Sequence, residues 1–413
     1  MRSKSVGPAL AVLFLVNVLN FYDRQTLAAI LEPLRHEFSL SDTQLGGLFT
    51  LFTVVFALAG LPLGKLADTR SRRGLLAVGI ALWTGLTGLA GLATSYAMLL
   101  GTRLGVGIGE AVCTPAAASW IGDLVPASRR ARAMAGFMMA VPVGIMLSSA
   151  ISGSVAQAHG WRMAMVLAAI PGLVLAPAVL WLREPERPRL PAAGERAVGL
   201  PAVFWWIAAS GAVVNFALYS FSTFLPAFLT RYHGLSVAQA GIWTGIGSGA
   251  SGILGAAAAG LVGDRVKNRL YLAAGASLAA AGPLYAAVRM PAGSVAGAVW
   301  LAMIGYGLLQ MYYGLVYAAI QDVVGPGMRG RAMAVYFVVT YLGGASWGPL
   351  LTGRLSDFLA HRSGLAAEAS RAVGLHDAMY AIPALALVLA AVLWVAGRRL
   401  QQSAGVSSPV SPR

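Results

Sequence analysis

The fold of this chain is decided by its first apolar stretch, PALAVLFLVNVLNFYDRQTLAAILE, residues 8–32. A helix needs about 20 mostly apolar residues to cross a bilayer, and this stretch is long enough. It also carries a charged pair, Asp23 and Arg24, inside the apolar run. A charge at the centre of a spanning helix costs roughly 2.5 to 3.5 kcal/mol, so such residues face partners or a wet cavity. The stretch predicts a membrane helix with a polar site.

The composition extends this interpretation to the whole chain. Of 413 residues, 58% are hydrophobic and only 11% are charged, which leaves too little polar surface for a water-soluble globule of this size. The fifty glycines suit helices packed in lipid, where small residues let backbones approach closely. The single cysteine, Cys113, excludes an intramolecular disulfide framework and a CxxC metal site. We therefore expect an integral membrane protein.

The length criterion gives twelve spans in two groups of six. A polar, proline-rich segment, REPERPRLPAAGER at 183–196, separates the groups. We predict an all-α membrane protein with two pseudo-symmetric six-helix bundles at 1–182 and 202–397, a cytoplasmic linker at 183–201 and a cytoplasmic tail at 398–413. The predicted spans are 8–32, 44–64, 74–94, 97–121, 132–156, 161–182, 202–230, 239–262, 270–289, 295–320, 332–356 and 376–397.

The basic residues predict the orientation. Cytoplasmic loops carry an excess of lysine and arginine. With both termini inside, the cytoplasmic segments hold 21 basic residues, the outer loops hold seven, and Arg24 and Arg103 lie within spans. The chain has only three lysines among its thirty basic residues, which favours a bacterial source. We expect a multi-pass protein of the bacterial inner membrane with both termini in the cytoplasm.

The two halves resemble each other at an offset close to 200 residues, which indicates an internal duplication. The stretch from Arg130 to Ala135 matches the stretch from Arg329 to Ala334. Further matches in nearly the same register are Gly64 with Gly260, Asp68 with Asp264, Asp123 with Asp322, Gly105 with Gly305, and Gly107 with Gly307. This register places Gln310 where the first half has Glu110.

Several motifs resemble those of the major facilitator superfamily. GKLADTRSRR at 64–73 is similar to the signature between its second and third helices, with Thr69 where arginine is usual. RLGVGIGE at 103–110 and GFMMAVPVG at 136–144 resemble its fourth- and fifth-helix patterns. Four stretches resemble motifs of the Spinster-like branch of this superfamily: NFYDR at 20–24, GVGIGEA at 105–111, IGDLV at 121–125 and WLREPERP at 181–188. The resemblance implies the major facilitator fold, alternating access and lipid-type substrates.

Four charged residues fall well inside the predicted spans: Asp23, Arg24, Arg103 and Glu110. Arg103 and Glu110 are seven residues apart, close to two helical turns, and so share one stripe of their helix. We predict Asp23 and Glu110 as proton-coupling groups, because burial and a nearby arginine have opposite effects on a carboxyl pKa. Arginine keeps its charge and its planar fork suits a carboxylate or phosphate. Arg24 and Arg103 are therefore predicted to bind substrate or gate the carboxylates; a purely structural ion-pair cluster is the alternative.

The second half offers amides and aromatic rings in place of buried charges. The predicted substrate-binding residues, together with Asn20 of the first helix, are Asn215, Tyr219, Gln310, Tyr313 and Tyr341. Packing and interfacial anchoring are the alternative roles for such aromatic residues. A cavity charged on one wall and aromatic on the other suits an amphiphile with a polar head.

The basic loops predict a cytoplasmic latch that breaks when the halves rock. Its predicted members are Asp68, Arg70, Arg72, Arg73 and Arg130 in the first half and Asp264 and Arg265 in the second. A role in membrane topology alone is the alternative for the arginines, since basic loop residues orient a membrane protein.

Together these features predict a proton-coupled secondary transporter of an amphipathic, lipid-like anionic or zwitterionic substrate. Two alternatives stay open: a symporter of small organic anions, which the N-aromatic-x-D-R first helix also resembles, and a drug/proton antiporter. We expect no enzyme, because the spans contain no histidine and one cysteine. We expect no cofactor, no metal and no nucleic-acid partner; the partners are substrate, protons and the bilayer, and the chain is expected to be a monomer.

Overall fold

A computed structural model describes residues 6–185, 199–263, 265–266, 268–325 and 328–406, without the side chains of residues 68, 127, 128, 131, 330 and 403–406. Most of the predicted linker and the last part of the predicted tail lie outside these residues. The first half consists of α1 (Val6–Ala29), α2 (Leu31–Phe38), α3 (Asp42–Thr69), α4 (Arg72–Ala90), α5 (Tyr96–Glu110), α6 (Cys113–Leu124), α7 (Ala127–Met138), α8 (Ala140–His159) and α9 (Trp161–Trp181).

The second half repeats this pattern with two π-helical interruptions. These interruptions lie at Gly245–Ala250 and at Tyr341–Ala345. Its helices are α10 (Ala202–Arg231), α11 (Val237–Thr244), α12 (Ser251–Gly263), α13 (Arg269–Arg289), α14 (Val295–Val323), α15 (Arg329–Thr340), α16 (Trp347–Arg362), α17 (Ala367–Met379) and α18 (Ala381–Val406).

In the described part of the chain these helices form twelve apolar segments long enough to cross a membrane, which confirms the predicted fold class. Each predicted span falls on one of them. The largest difference is at the last span, predicted from 376, because α17 continues it back to Ala367. At the other end, α18 runs to Val406, so the start of the predicted tail is helical.

Matching helix starts support the duplication. Ser41 caps α3 by accepting from the backbone N–H of Gln44, and the Gln44 side chain accepts from the backbone N–H of Ser41. Ser236 and Gln239 form the same capping box at the start of α11. This reciprocal arrangement satisfies two backbone donors that a helix start leaves unpaired. The second and eighth spans thus begin with the same device.

The two halves approach each other closely at one end of the bundle. There, a Cβ added to Gly46 would collide with the backbone of Pro349, and one added to Gly353 would collide with the backbone of Asp42. Glycine is therefore needed where α3 crosses α16. We call this the closed end; it includes α2, α17 and the turn between α10 and α11. The opposite end, with the α3–α4 and α12–α13 turns, is called the open end.

Candidate functional site

The structure brings the four charged residues of the first half together. Arg24 on α1 donates through Nε to Glu110 Oε2 at the end of α5, at 2.6 Å. Its guanidinium also lies over the rings of Phe21, Phe52 and Phe56, at 4.9, 5.2 and 4.2 Å from their centroids. Ion pairing and cation–π contacts both stabilise a cation that is out of water. Arg24 thus pairs across two helices.

Asp23 faces a different group of residues. Its Oδ2 accepts a hydrogen bond of 3.4 Å from the Thr87 hydroxyl on α4. The charges of Glu110 and Arg103 lie close enough to act on it. Asp23, Glu110 and Arg103 are at most 2% exposed. Adjacent positions on α1 therefore send one charge toward α4 and the other toward α5.

Several polar atoms in this region have no hydrogen-bond partner among the described residues. They are both amide atoms of Asn20, Asp23 Oδ1, Glu110 Oε1, and Nε and Nη2 of Arg103. A buried polar atom without a partner costs about 1 to 3 kcal/mol, so native structures satisfy such atoms with water, ions or ligands. The chemistry of this donor and acceptor set suits water, protons and an anionic group.

A cavity reaches this cluster from between the two halves. Its polar lining is Arg24, Arg103, Thr53 and Tyr219, and its apolar lining is Leu27, Leu48, Phe49 and Phe52. A second cavity lies wholly in the second half, and its lining, which includes Phe221, Leu284 and Met379, is apolar. We assign the candidate site to the first cavity, because it combines a concave apolar wall with convergent charged groups.

The second half supplies an aromatic wall. Tyr341 contacts Tyr219 and Phe56, with ring centroids 6.2 and 5.5 Å apart, and so links the wall to the Arg24 region. Tyr313 donates to Asn215 Oδ1 at 3.0 Å. These predicted residues thus form one contacting group around the mid-depth of the bundle.

Gln310 and the remaining tyrosines lie beside this group. Gln310 packs against Gly252 and Gly255 of α12. Sequence reasoning missed four rings that adjoin this group. Tyr312 and Tyr317 each contact Tyr313. Tyr336 and Phe337 contact Tyr317 and each other. The clustering of tyrosines within 306–341 was the available signal.

The predicted latch residue Arg72 binds within its own half. Its side chain is fully buried and donates to Asp123 at 2.5 Å and to Glu184 at 3.1 Å. It also donates to the backbone oxygen and to the hydroxyl of Ser119. Partial burial raises the pKa of Glu184, but hydrogen bonds from Ser71 and from Arg72 outweigh it and lower the pKa to about 2. Arg72 therefore links the start of the third span to the ends of the fourth and sixth spans.

The other predicted latch residues are more dispersed. Arg73 donates to Leu180 O at 3.2 Å, again within the first half. Arg70, Arg130 and Arg265 are exposed. The Asp68 side chain and Asp264 lie outside the described residues, so the latch stays a prediction. In the second half Arg269 pairs with Asp322, which repeats the Arg72–Asp123 pair.

An ion network that the sequence analysis did not anticipate joins the halves at the closed end. Arg231 on α10 donates through both Nη atoms to the two carboxylate oxygens of Asp42, each at 2.8 Å, and through Nε to Glu32 at 2.7 Å. Arg35 continues the network by binding Glu32 and, in the second half, Glu368. The three acids around the first of these loops, Glu32, Glu37 and Asp42, against one arginine, Arg35, were its only signal.

Two six-helix bundles around a charged cavity at mid-depth define a membrane transporter in which substrate passes between the halves. The sequence profile of the Major Facilitator Superfamily matches residues 13–349. The chain belongs to this superfamily.

Relatives identify the branch. An "MFS-type efflux pump" of Mycolicibacterium smegmatis is 33% identical over 95% of this chain and 93% of its own length. "Protein spinster homolog 1" of mouse is 30% identical over 84% of this chain and 72% of its own. A crystal structure of a bacterial homologue of the human lysosomal transporter Spinster, inward-facing and occupied, superposes with a TM-score of 0.84 at 28% identity, over 94% of this chain and 96% of that one. This transporter is Spinster-like.

Proposed function

We propose that this transporter moves an amphipathic, lipid-like anionic or zwitterionic substrate by proton-coupled alternating access. The observation that carries the proposal is Arg103. This arginine is 2% exposed, lines the central cavity, and leaves Nε and Nη2 without hydrogen-bond partners in the described part of the chain. A guanidinium in that position can donate two parallel hydrogen bonds to a carboxylate or phosphate.

Proton coupling follows from the groups beside Arg103. When an anionic headgroup enters, it competes with Glu110 for Arg24. A carboxylate that loses its cation in a low-dielectric site gains affinity for a proton. Glu110 then takes up a proton and Asp23 supplies a second titratable group nearby, so that binding of the anion and of the proton favour each other.

The contrast between the two walls supports an amphiphile. The first half lines the cavity with Arg24 and Arg103 and with its four apolar side chains, and the second half adds Tyr219, with Tyr341 in contact behind it. A headgroup binds the charged wall while an alkyl chain packs on the rings. The excess of basic residues in alternate loops supports a topology with both termini in the cytoplasm, and the excess of arginine over lysine favours a bacterial inner membrane.

Two observations support other substrate classes. The same two arginines would bind a compact organic anion without using the aromatic wall. The Mycolicibacterium relative is named as an efflux pump, which favours a drug/proton antiporter in which the carboxylates bind a cationic drug. A direct comparison of ligands separates these possibilities.

Ligand-induced thermal stabilisation of the purified protein tests the substrate class. We expect a lysophospholipid or sphingoid phosphate to stabilise the wild type, and Arg103→Gln to abolish the effect. The control, Arg162→Gln, removes an exposed arginine outside the cavity and should keep it. Stabilisation by a sugar acid alone or by a cationic drug alone would replace the proposed substrate class.

Uptake into proteoliposomes under a pH gradient tests the coupling. We expect Glu110→Gln and Asp23→Asn each to lose gradient-driven transport by at least tenfold, whereas Glu37→Gln, an exposed acid of the same half, behaves as wild type. Full gradient-driven transport by both cavity variants would contradict the assignment of the two carboxyls.

A further inference from the structure

The Thr87 hydroxyl on α4 is the one described side chain that donates a hydrogen bond to Asp23. Both residues are completely buried. We propose that Thr87 is a positioning residue, which holds the Asp23 carboxyl in place while that carboxyl gains and loses a proton. The inference rests on the proposed function, and it brings the third span into a site that the sequence placed on the first and fourth.

A hydroxyl suits this task because it donates one hydrogen bond and accepts two. It donates to Asp23 when the carboxyl is ionised and accepts from it when the carboxyl is protonated. Arg103 has donors only, so it can donate to an oxygen of Asp23 but cannot accept the O–H of the protonated carboxyl. Thr87 thus keeps Asp23 oriented in both states.

Other charged groups around Asp23 act in opposite directions. From α5, Arg103 favours the ionised carboxyl and Glu110 opposes it. On α1 itself, Tyr22 is near Asp23 and Arg24 is turned to Glu110; from α10, Tyr219 acts on Arg24. Because Thr87 is the one described donor to this carboxyl, loss of its hydroxyl should be visible in the pH dependence of transport.

Thr84 provides a matched control on the same helix, about one turn away. It is also buried, but its hydroxyl faces Gly172 on α9 and has no hydrogen-bond partner among the described residues. Thr84→Val and Thr87→Val make the same change in shape and polarity at equal burial. Only the second removes a donor to a carboxylate.

The test measures proteoliposome uptake of a lysophospholipid, the compound class used in the stabilisation assay, as a function of pH. We expect Thr87→Val to move the pH of half-maximal transport upward by about one unit. The hydrogen bond to the ionised carboxyl is charge-assisted and stronger than the bond to the protonated one, so its loss costs the ionised form more. Thr87→Ser should restore the wild-type midpoint, and Thr84→Val should keep it. Thr87→Ala, which has a smaller side chain, should shift as Thr87→Val does and serves if the valine variant does not fold.

Two outcomes would overturn the inference: a wild-type midpoint in Thr87→Val and Thr87→Ala, or an equal shift in Thr84→Val, which would indicate packing alone. Asp23→Asn separates this failure from that of the proposed function. If Asp23→Asn retains full gradient-driven transport, the proposed role of Asp23 is wrong; if it loses transport while Thr87→Val keeps its midpoint, only the role of Thr87 is wrong.

Discussion

At the closed end, Arg231 binds Glu32 and Asp42 of the other half, whereas at the open end Arg72 binds Asp123 and Glu184 of its own half. Both arginines are nearly or fully buried and both bind two carboxylates. They differ in whether the ion pairs cross between the halves. If the halves rock as rigid bodies, pairs within a half persist and pairs between halves break.

This difference indicates what each end does during transport. Breaking a buried ion pair by removing one partner costs about 3 to 5 kcal/mol, because the other charge is left uncompensated. The network at the closed end therefore stabilises one conformation against the other. The network at the open end stabilises a bundle in every conformation. Three substitutions test this division.

The largest effect is expected for Arg231→Gln, which leaves Glu32 and Asp42 buried without their cation. We expect about 3 to 5 kcal/mol less stability for the closed end, which favours opening by a hundredfold or more. A single cysteine at Leu48, which lines the cavity, reports the change in a Cys113→Ser background. Its modification by a membrane-impermeant maleimide added at the closed-end side should accelerate at least tenfold.

Arg162→Gln is the matched control for this experiment. Arg162 also pairs with an acid at the closed end, but its partner Glu37 belongs to the same half and both side chains are more than a third exposed. We expect wild-type labelling of the Leu48→Cys reporter. Unchanged labelling in Arg231→Gln would remove the network from the gating step.

An intermediate effect is expected for Glu184→Gln at the open end. The lowered pKa of Glu184 means that its ionised form stabilises the folded state, by about 3 kcal/mol. That contribution is complete above pH 4.5, the ordinary value, and disappears as the pH falls toward 2. Thermal unfolding in detergent should show a destabilised variant at pH 7 whose difference from wild type shrinks on acidification.

Labelling of the Leu48→Cys reporter distinguishes the two ends. Glu184→Gln should lower the unfolding temperature while leaving the labelling rate unchanged, because the partners described for it, Ser71, Arg72 and Arg73, lie in the first half. A variant that accelerates labelling as strongly as Arg231→Gln would show that the open end also takes part in gating.

The fold and half of the site were predictable from the sequence, for a physical reason. Lipid demands long apolar helices and makes a charge such as Asp23 or Glu110 conspicuous inside them. Glu32 and Arg231 are 199 positions apart and lie at span ends, where charges are ordinary. No local pattern reports that such positions meet across two bundles.

The role of Thr87 was not predicted from the sequence, for a related reason. A threonine within a span is inexpensive, because its hydroxyl can bond to the helix backbone, and so it carries no signal of a partner. The cytoplasmic latch was inferred from clustered arginines, but the Arg72 guanidinium donates its described hydrogen bonds to groups of its own half. Clustering indicates where charge accumulates, and the contacts determine what the charge joins.

The smallest effect is expected for Arg269→Gln, in the second-half counterpart of the Arg72 pair. Its partner Asp322 is 57% exposed, whereas Arg72 is fully buried against both of its acids. Exposed pairs contribute about 0 to 1 kcal/mol, since water and salt already compensate the charges. Arg269→Gln should therefore lower the unfolding temperature less than Arg72→Gln does, with unchanged Leu48→Cys labelling in both. Equal destabilisation would mean that the duplicated pair has kept its strength in both halves, and burial would then not explain the difference between them.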